Sequence, residues 1–318
     1  MSSGTIEGTE RRSRLLPYAQ LLRIPNVFTA MADIAMAGLI TGSLPQQMGP
    51  FLCLVVASSC LYCAGMVWND YFDYDQDLKE RPFRPLPSHR ISRGAAMRLG
   101  VVLFAAGIMF AILAGIVGDG FQSGPLIVAI LLVLAILLYD AWLKRTFLGP
   151  VSMGLCRFLN VLLGLTVAVD GIPSWGFVLA LVVGVYIVGV TWFARKEARL
   201  SKQLELAAAA LVMLTALPLA LFLPALGRQQ ARGETVGQIG HLLFPYLLVA
   251  FGFWVGIPAA AAIRNTSPKY VQAGVKRAII GLVVLDAVLA TSLAGTVGLL
   301  VLVLLLPAMW LGKWVYST

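Results

Sequence analysis

Charge is what this chain has least of. Asp, Glu, Lys and Arg make up 12% of its 318 residues, against roughly 25% in an ordinary soluble domain, which excludes a soluble globule. Histidine is nearly absent: His89 lies in a charged loop and His241 near the opposite end of the helical pattern, so the two give no metal-ligand spacing. The cysteines are Cys53, Cys60, Cys63 and Cys156, all in apolar runs. Cys60-Leu-Tyr-Cys63 has the spacing of a redox motif without the βαβ context such a motif needs, and all four are read as packing residues. No phosphate-cradling glycine motif of the nucleotide-binding kind is present, so neither ATP nor a dinucleotide is implied. A cleavable signal pattern is lacking too. Arg11, Arg12, Arg14 and Arg23 precede the first apolar run, which has no small-residue cleavage site and is expected to stay as a helix.

What the chain has in abundance is apolar surface: 59% of the residues are hydrophobic and the mean hydropathy is +0.86. Apolar runs fall near 27–43, 50–68, 96–117, 124–140, 149–169, 174–193, 204–225, 243–262 and 278–312. Each is long enough to approach the ~20 residues that cross a bilayer. The expected fold is an all-α polytopic membrane protein of about nine transmembrane helices. The count becomes ten if the last run breaks near Gly295–Gly298. The whole chain, 1–318, reads as a single integral membrane domain with a tail over residues 1–20.

The net charge of +9 reports topology before it reports a nucleic-acid partner. Alternate connections carry 21 of the 24 Lys and Arg residues, leaving only Arg228, Arg232 and Lys313 for the other side. The positive-inside rule then puts the N-terminal tail and the loops after the second, fourth, sixth and eighth spans in the cytoplasm.

The second span ends in Asn69-Asp70-Tyr71-Phe72-Asp73-Tyr74-Asp75-Gln76-Asp77. At about 100° per residue, Asn69, Asp73 and Asp77 fall within roughly 100° of Asp70, whereas Asp75 lands on the far side. Three carboxylates stacked on one face repel one another, so the arrangement calls for a cation. Mg²⁺ suits it, being hard, oxygen-preferring and often shared between carboxylates and substrate phosphates. Directly after comes Arg81-Pro82-Phe83-Arg84-Pro85-Leu86-Pro87, expected to hold two guanidinium groups on a stiff, proline-set strand. Acids for a metal followed by arginines for phosphate is the composition of a diphosphate site.

These residues resemble the first signature of the UbiA superfamily of intramembrane prenyltransferases, an Asn-Asp-x-x-Asp-x-x-x-Asp run with a following Arg-Pro element. Leu22-Arg23-Ile24-Pro25-Asn26 entering the first span, and Tyr139 with Lys144-Arg145-Thr146 after the fourth, are similar to family features as well. The resemblance implies helices bundled around a central chamber open to the cytoplasmic side. It implies Mg²⁺ on Asp70, Asp73 and Asp77, which are the catalytic set, and a diphosphate held by Arg81 or Arg84 and by Lys144 or Arg145. Asn26 and Asn69 become polar wall positions of the diphosphate site. The implied reaction transfers an isoprenyl chain from its diphosphate to a lipophilic, aromatic-type acceptor within the membrane. Metal and fixed cations would stabilise the departing diphosphate, and a water-poor chamber would protect the carbocation.

The second family signature, a set of aspartates after the sixth span, is degenerate: Arg195-Lys196-Glu197-Ala198-Arg199 has one acid. Glu197 is the candidate metal ligand there, and Arg195, Lys196 and Arg199 are candidates for direct diphosphate contact or for a positive-inside flank. The departure resembles the EboC-like branch of the superfamily. Charged or amide groups inside spans are costly and so functional by default. Arg157 and Asn160 are read as facing the chamber and touching diphosphate or acceptor, Asp33 and Asp286 as bonding to neighbouring helices. Two other functions stand beside transfer: a membrane terpene cyclase sharing the ionisation step, and a lipid carrier or transporter on the same fold.

Overall fold

Hydrocarbon offers backbone N–H and C=O groups no partner, so a chain this apolar has to close its hydrogen bonds inside helices. The computed structural model describes residues 15–42, 44, 46–118, 120–168, 170–195, 202–227 and 238–316, and among them no strand forms. After a helical stretch over 15–21 the helices are α1 (Ile24–Thr41), α2 (Met48–Phe72), α3 (Tyr74–Glu80), α4 (Arg93–Val117), α5 (Gly124–Ala141), α6 (Gly149–Leu165), α7 (Ser174–Ala194), α8 (Gln203–Ala220), α9 (Leu223–Gly227), α10 (Gln238–Arg264), α11 (Pro268–Ala294) and α12 (Leu305–Tyr316). A 3₁₀ helix, Gly295–Leu304, joins the last two.

Among the described residues, eight stretches have the length and hydropathy of a membrane span, with Pro268–Val315 counted as one of them; α6, at 17 residues, falls just short of that length. The expected figure of about nine therefore does not follow from helix length alone. Gly149 and Pro150 open α6, and it closes at Leu165, so the apolar run 149–169 yields a shorter helix than its sequence span suggests. The C-terminal run does break near Gly295, whose φ of 66° turns the chain. Gly298 then lies against Ala290 and Thr291, where a Cβ would come within 2.6 Å of their backbone. Helix-interior geometry would separate these positions by about 10 Å, so the chain has folded back on α11.

One continuous apolar cluster runs through the bundle. Helix α1 lies deep in the bundle, with 61% of its apolar window covered; it packs on α2, α6, α11 and α12. Asp33 on α1 therefore faces protein, not lipid. A smaller cluster of Leu21, Val67, Leu86, Ile91 and Ala96 seats the loop after α3 against the head of α4.

Helices α6 and α7 cross closely enough that a Cβ on Gly154 would meet Val188 at 2.5 Å and the Gly184 carbonyl at 2.7 Å. Small residues at such crossings let backbones approach where no hydrophobic drive between helices exists. Gly154→Leu should lower thermal stability in detergent by about 1–3 kcal/mol. Gly94→Ala, where nothing lies within 4 Å, should leave the melting temperature unchanged or raise it slightly.

Candidate active site

The acidic run lies where α2 gives way to α3. Asp73 sits between the helices at φ −90°, ψ 5°. Its N–H still bonds Asn69 O at 3.0 Å and its carbonyl takes the Asp77 N–H at 2.8 Å. The turn of the chain there sends the acids to different partners. Asp70, buried to 3% exposure, accepts from Arg23 Nη2 at 3.0 Å and from Arg84 Nη1 at 3.3 Å; the same Arg84 nitrogen reaches Asp77 Oδ2 at 2.7 Å. Burial pushes the Asp77 carboxyl above the ordinary carboxylate range, and the adjacent Arg84 pulls the other way. Asp73 turns instead to Lys144 Nζ at 2.8 Å and Arg145 Nη2 at 3.6 Å.

The segment that presents Arg84 is a run of turns, not the extended strand its prolines suggested. Pro85, Leu86 and Pro87 are buried, and Ser88 N–H bonds the Arg84 carbonyl at 3.0 Å and Ile91 N–H that of Pro85 at 3.1 Å. Arg90 fastens the loop, donating to Phe83 O at 2.7 Å and to Gln20 Oε1 at 2.9 Å. Burying Leu86 beside Leu21 and Val67 decides the geometry: the loop has to curl inward, which turns Arg84 onto the acids. Arg23 is held with φ 47° and ψ 48°. A non-glycine residue in this left-handed conformation costs of order 1 kcal/mol, which its bond to a buried carboxylate offsets.

A second polar group joins this cluster to the bundle. Asn69 Nδ2 donates to Asp140 Oδ1 at 3.0 Å, and Lys144 Nζ donates to Asn69 O at 3.3 Å while standing 4.0 Å from Asp140. Arg145 donates to Phe72 O at 3.0 Å, and Arg195, at the end of α7, to Thr146 O at 2.7 Å. Asp140 and Tyr139 also line a cavity among α1, α2, α5 and α6 with about 540 Å³ of empty space, partly open to the outside. Its middle is apolar, walled by Gly65, Met66, Leu132 and Ile136; its inner end is polar, formed by Ser58, Arg157 and Asn160. There Arg157 donates to Asp33 at 3.1 Å and to Thr29 at 2.7 Å. Asn160 donates to Asp33 at 2.7 Å and to Ala30 O at 3.1 Å, and accepts from Ser58 at 2.7 Å. An apolar cavity that meets a charged cluster at Asp140 and ends on Ser58, Arg157 and Asn160 suits a ligand with an anionic head and an apolar body.

The sequence profile of the UbiA prenyltransferase family matches residues 26–265. The chain belongs to this family. Among curated proteins it is 33% identical over 155 residues to a digeranylgeranylglyceryl phosphate synthase of Methanothermobacter thermautotrophicus, covering 46% of this chain and 50% of that one. It is 29% identical over 151 residues to the enzyme of the same name from Saccharolobus solfataricus, covering 47% and 51%. The chain thus spans about half the length of the curated relatives it matches. Among solved structures, one concerned with digeranylgeranylglyceryl phosphate synthase in membranes superposes with a TM-score of 0.62 at 20% identity, over 89% of this chain and 99% of that one. The apo structure of a UbiA homologue from Aeropyrum pernix K1 gives 0.54 at 16% identity, over 79% and 96%. These two share the fold. The relatives named here lend no support to the EboC-like placement.

For this UbiA family member, the structure gathers the predicted residues into two adjoining groups, Asp70 and Asp77 with Arg84 and Asp73 with Lys144 and Arg145, Asn69 bonding to Asp140 beside the second, with Arg81 near enough to act on Asp77. Asp73 stands apart from the pair Asp70 and Asp77, and among the described residues no three His, Cys, Asp or Glu side chains converge as a ready-made metal cage. Arg84 Nη1 is shared between Asp70 and Asp77, so in this structure the two carboxylates are matched by a cation of the chain itself; as oxygen donors they are the residues that would hold a hard metal ion. Asn26 is half-buried at the start of α1, its carbonyl accepting from Thr29 at 2.7 Å. Arg157 and Asn160 do face the cavity, at the end remote from the acids. Lys196, Glu197 and Arg199 lie outside the described residues. The sequence reading missed two members: Arg23, noted only within the stretch entering α1, and Asp140, whose signal was its place beside Tyr139 at the end of a span.

Because Asp33 is fully buried, removing it strands Arg157 without its counter-charge. Asp33→Leu alone should destabilise the detergent-solubilised protein by about 3–5 kcal/mol, and adding Arg157→Leu should restore most of that loss, as followed by thermal unfolding. An additive double variant would show that the pair is not coupled.

Proposed function

We propose that this protein is an intramembrane prenyltransferase that moves an isoprenyl chain from its diphosphate to a lipophilic acceptor, with Mg²⁺ as the metal and diphosphate as the leaving group. The observation that carries the reading is the junction at Asp140: the same residue belongs to the acid and base cluster and to the wall of an apolar cavity. The diphosphate would lie against Arg84, Arg23, Lys144 and Arg145, with Arg81 and Arg195 close by and Asn69 on the wall. The isoprenyl chain would extend past Tyr139 and Met66 into the apolar tube.

Ionising an allylic C–O bond leaves an electron pair on the diphosphate, so groups aimed at its oxygens lower the barrier. In this chain those groups are guanidinium and ammonium donors already fixed by burial and by the loop of residues 81–91. Asp70, Asp73 and Asp77 would hold Mg²⁺, which supplies further charge stabilisation of the leaving group when bound. The walls of Gly65, Met66, Leu132 and Ile136 keep water from the cation formed. The charge asymmetry of the loops supports a site on the cytoplasmic face. The relatives' name denotes a lipid that joins two geranylgeranyl chains to glyceryl phosphate; prenyl transfer is the part of it that the site supports here.

Purified protein should release diphosphate from a prenyl diphosphate in an acceptor-dependent way, and EDTA should stop it. Asp70→Ala and Asp73→Ala should each cut the rate at least a hundredfold, and excess Mg²⁺ should not rescue them. Wild-type turnover in both variants would remove the metal assignment. Hydrocarbon formed from prenyl diphosphate alone would point to cyclisation.

A further inference from the structure

The polar floor of the cavity is not needed to hold a diphosphate, which already has its cations at the mouth. Ser58 lines the cavity at its inner end, about 16 Å along the axis of α2 from Asn69. A guanidinium at the inner end, facing hydrocarbon, is costly unless something uses it. Asn160 is consumed within the fold: its amide nitrogen donates to Asp33 and Ala30 and its oxygen accepts from Ser58. Arg157 is not. Of its five N–H donors, the hydrogen bonds to Asp33 and Thr29 take two. It borders the cavity, none of its nitrogens is buried without a partner, and its Cζ lies 5.5 Å from the centroid of the Tyr62 ring. Donors open to a cavity call for a ligand oxygen.

The charges around it restrict what that oxygen can belong to. Arg157 is matched by Asp33, and Asp286, fully buried, stands against Asp33. Asp140 adds a carboxylate to the same cavity wall, and Lys144, one turn beyond it, is paired with Asp73. The floor therefore offers hydrogen-bond donors without a net positive charge. A phosphate or carboxylate brought there would lose its water and meet acids. A neutral hydroxyl or carbonyl would satisfy the donors at small desolvation cost.

We propose that Arg157, positioned by Asp33 and Asn160, is the acceptor-binding residue of this protein and selects an uncharged oxygen-bearing lipophile, such as an alcohol, phenol or quinol, over an anionic one. This rests on the transferase reading and deepens it. It also separates the chain from what the name of its relatives denotes, an acceptor built on glyceryl phosphate.

The test uses two matched pairs of probes on the full-length protein in detergent: 4-nonylphenol against 4-nonylsalicylate, and a 1-O-alkylglycerol against its phosphate. Binding is read without donor, by thermal shift and by equilibrium dialysis, and a prenyl diphosphate is titrated separately. The neutral member of at least one pair is expected to bind at least tenfold more tightly than its anionic partner. Arg157→Gln should abolish that preference while changing affinity for the prenyl diphosphate less than twofold. Should Arg157→Gln fold poorly, Asp33→Asn with Arg157→Gln keeps the charge balance and should show the same loss. Tighter binding of the anionic members, or binding of neither class, overturns the assignment while prenyl diphosphate binding leaves the transferase reading intact. A fall in diphosphate affinity in both variants would place Arg157 with the leaving group instead. Loss of prenyl diphosphate binding by the unmodified protein would sink the transferase reading by itself.

Discussion

An ionised side chain away from water has to be met by an opposite charge, and that requirement shapes this protein from the membrane border to the middle of its bundle. Where α2 runs out, Asp70 and Asp77 are nearly inaccessible, and the chain answers with Arg84 from a loop and Arg23 from the entry to α1. Both answers have structural costs. The loop must curl so that Leu86 goes under the bundle, and Arg23 must adopt a backbone conformation that L-residues avoid. Sixteen ångströms or so deeper along α2, the same requirement ties α1 to α6 through Asp33 and Arg157. Since lipid exerts no hydrophobic pull between helices, such pairs also help to choose which helices lie together.

The cavity follows from where those pairs fall. Helices α1 and α6 are drawn together at the floor, α2 and α5 at the mouth through Asn69 and Asp140, and between the two levels Gly65 and Met66 face Leu132 and Ile136 across unfilled space. Polar residues set the ends of the tube and apolar ones its length. A molecule with a charged head and a hydrocarbon body matches this sequence of surfaces better than a wholly polar or wholly apolar one does.

Much of this was legible in the amino-acid sequence, and the part that was not has a common cause. Asp70 and Asp77 are seven residues apart, so helical geometry already set them side by side, and Arg84 follows them closely in the chain. The helical class and the break at Gly295 could be read from apolar run lengths and from glycine. Arg23 with Asp70, Asn69 with Asp140, and Arg157 with Asp33 join residues 47, 71 and 124 positions apart. Periodicity within one helix says nothing about which face of another it meets. The placing of Asp73 was hidden for a related reason: the helix pauses at that residue, and a regular helical wheel drawn through it swings the carboxylate to the wrong neighbour. The prolines around Leu86 suggested extension because their ring restricts φ, but burial of the leucine decided the path.

The mouth of the cavity is neutralised by itself, acids against bases, and that has a consequence for any ligand. A diphosphate that takes Arg84 and Lys144 for its own oxygens leaves Asp77 without its guanidinium partner and Asp70 and Asp73 with only Arg23 and Arg145, in a setting where burial already raises the cost of ionised Asp77. A divalent cation alone would meet the converse difficulty, with displaced guanidinium groups left close to it. Each ligand removes the penalty the other creates, so on the proposed reading the two bind with positive coupling, each raising the affinity for the other by the same factor. The ion pairs that hold the apo site together are then the source of its preference for an anion and a cation arriving as a pair.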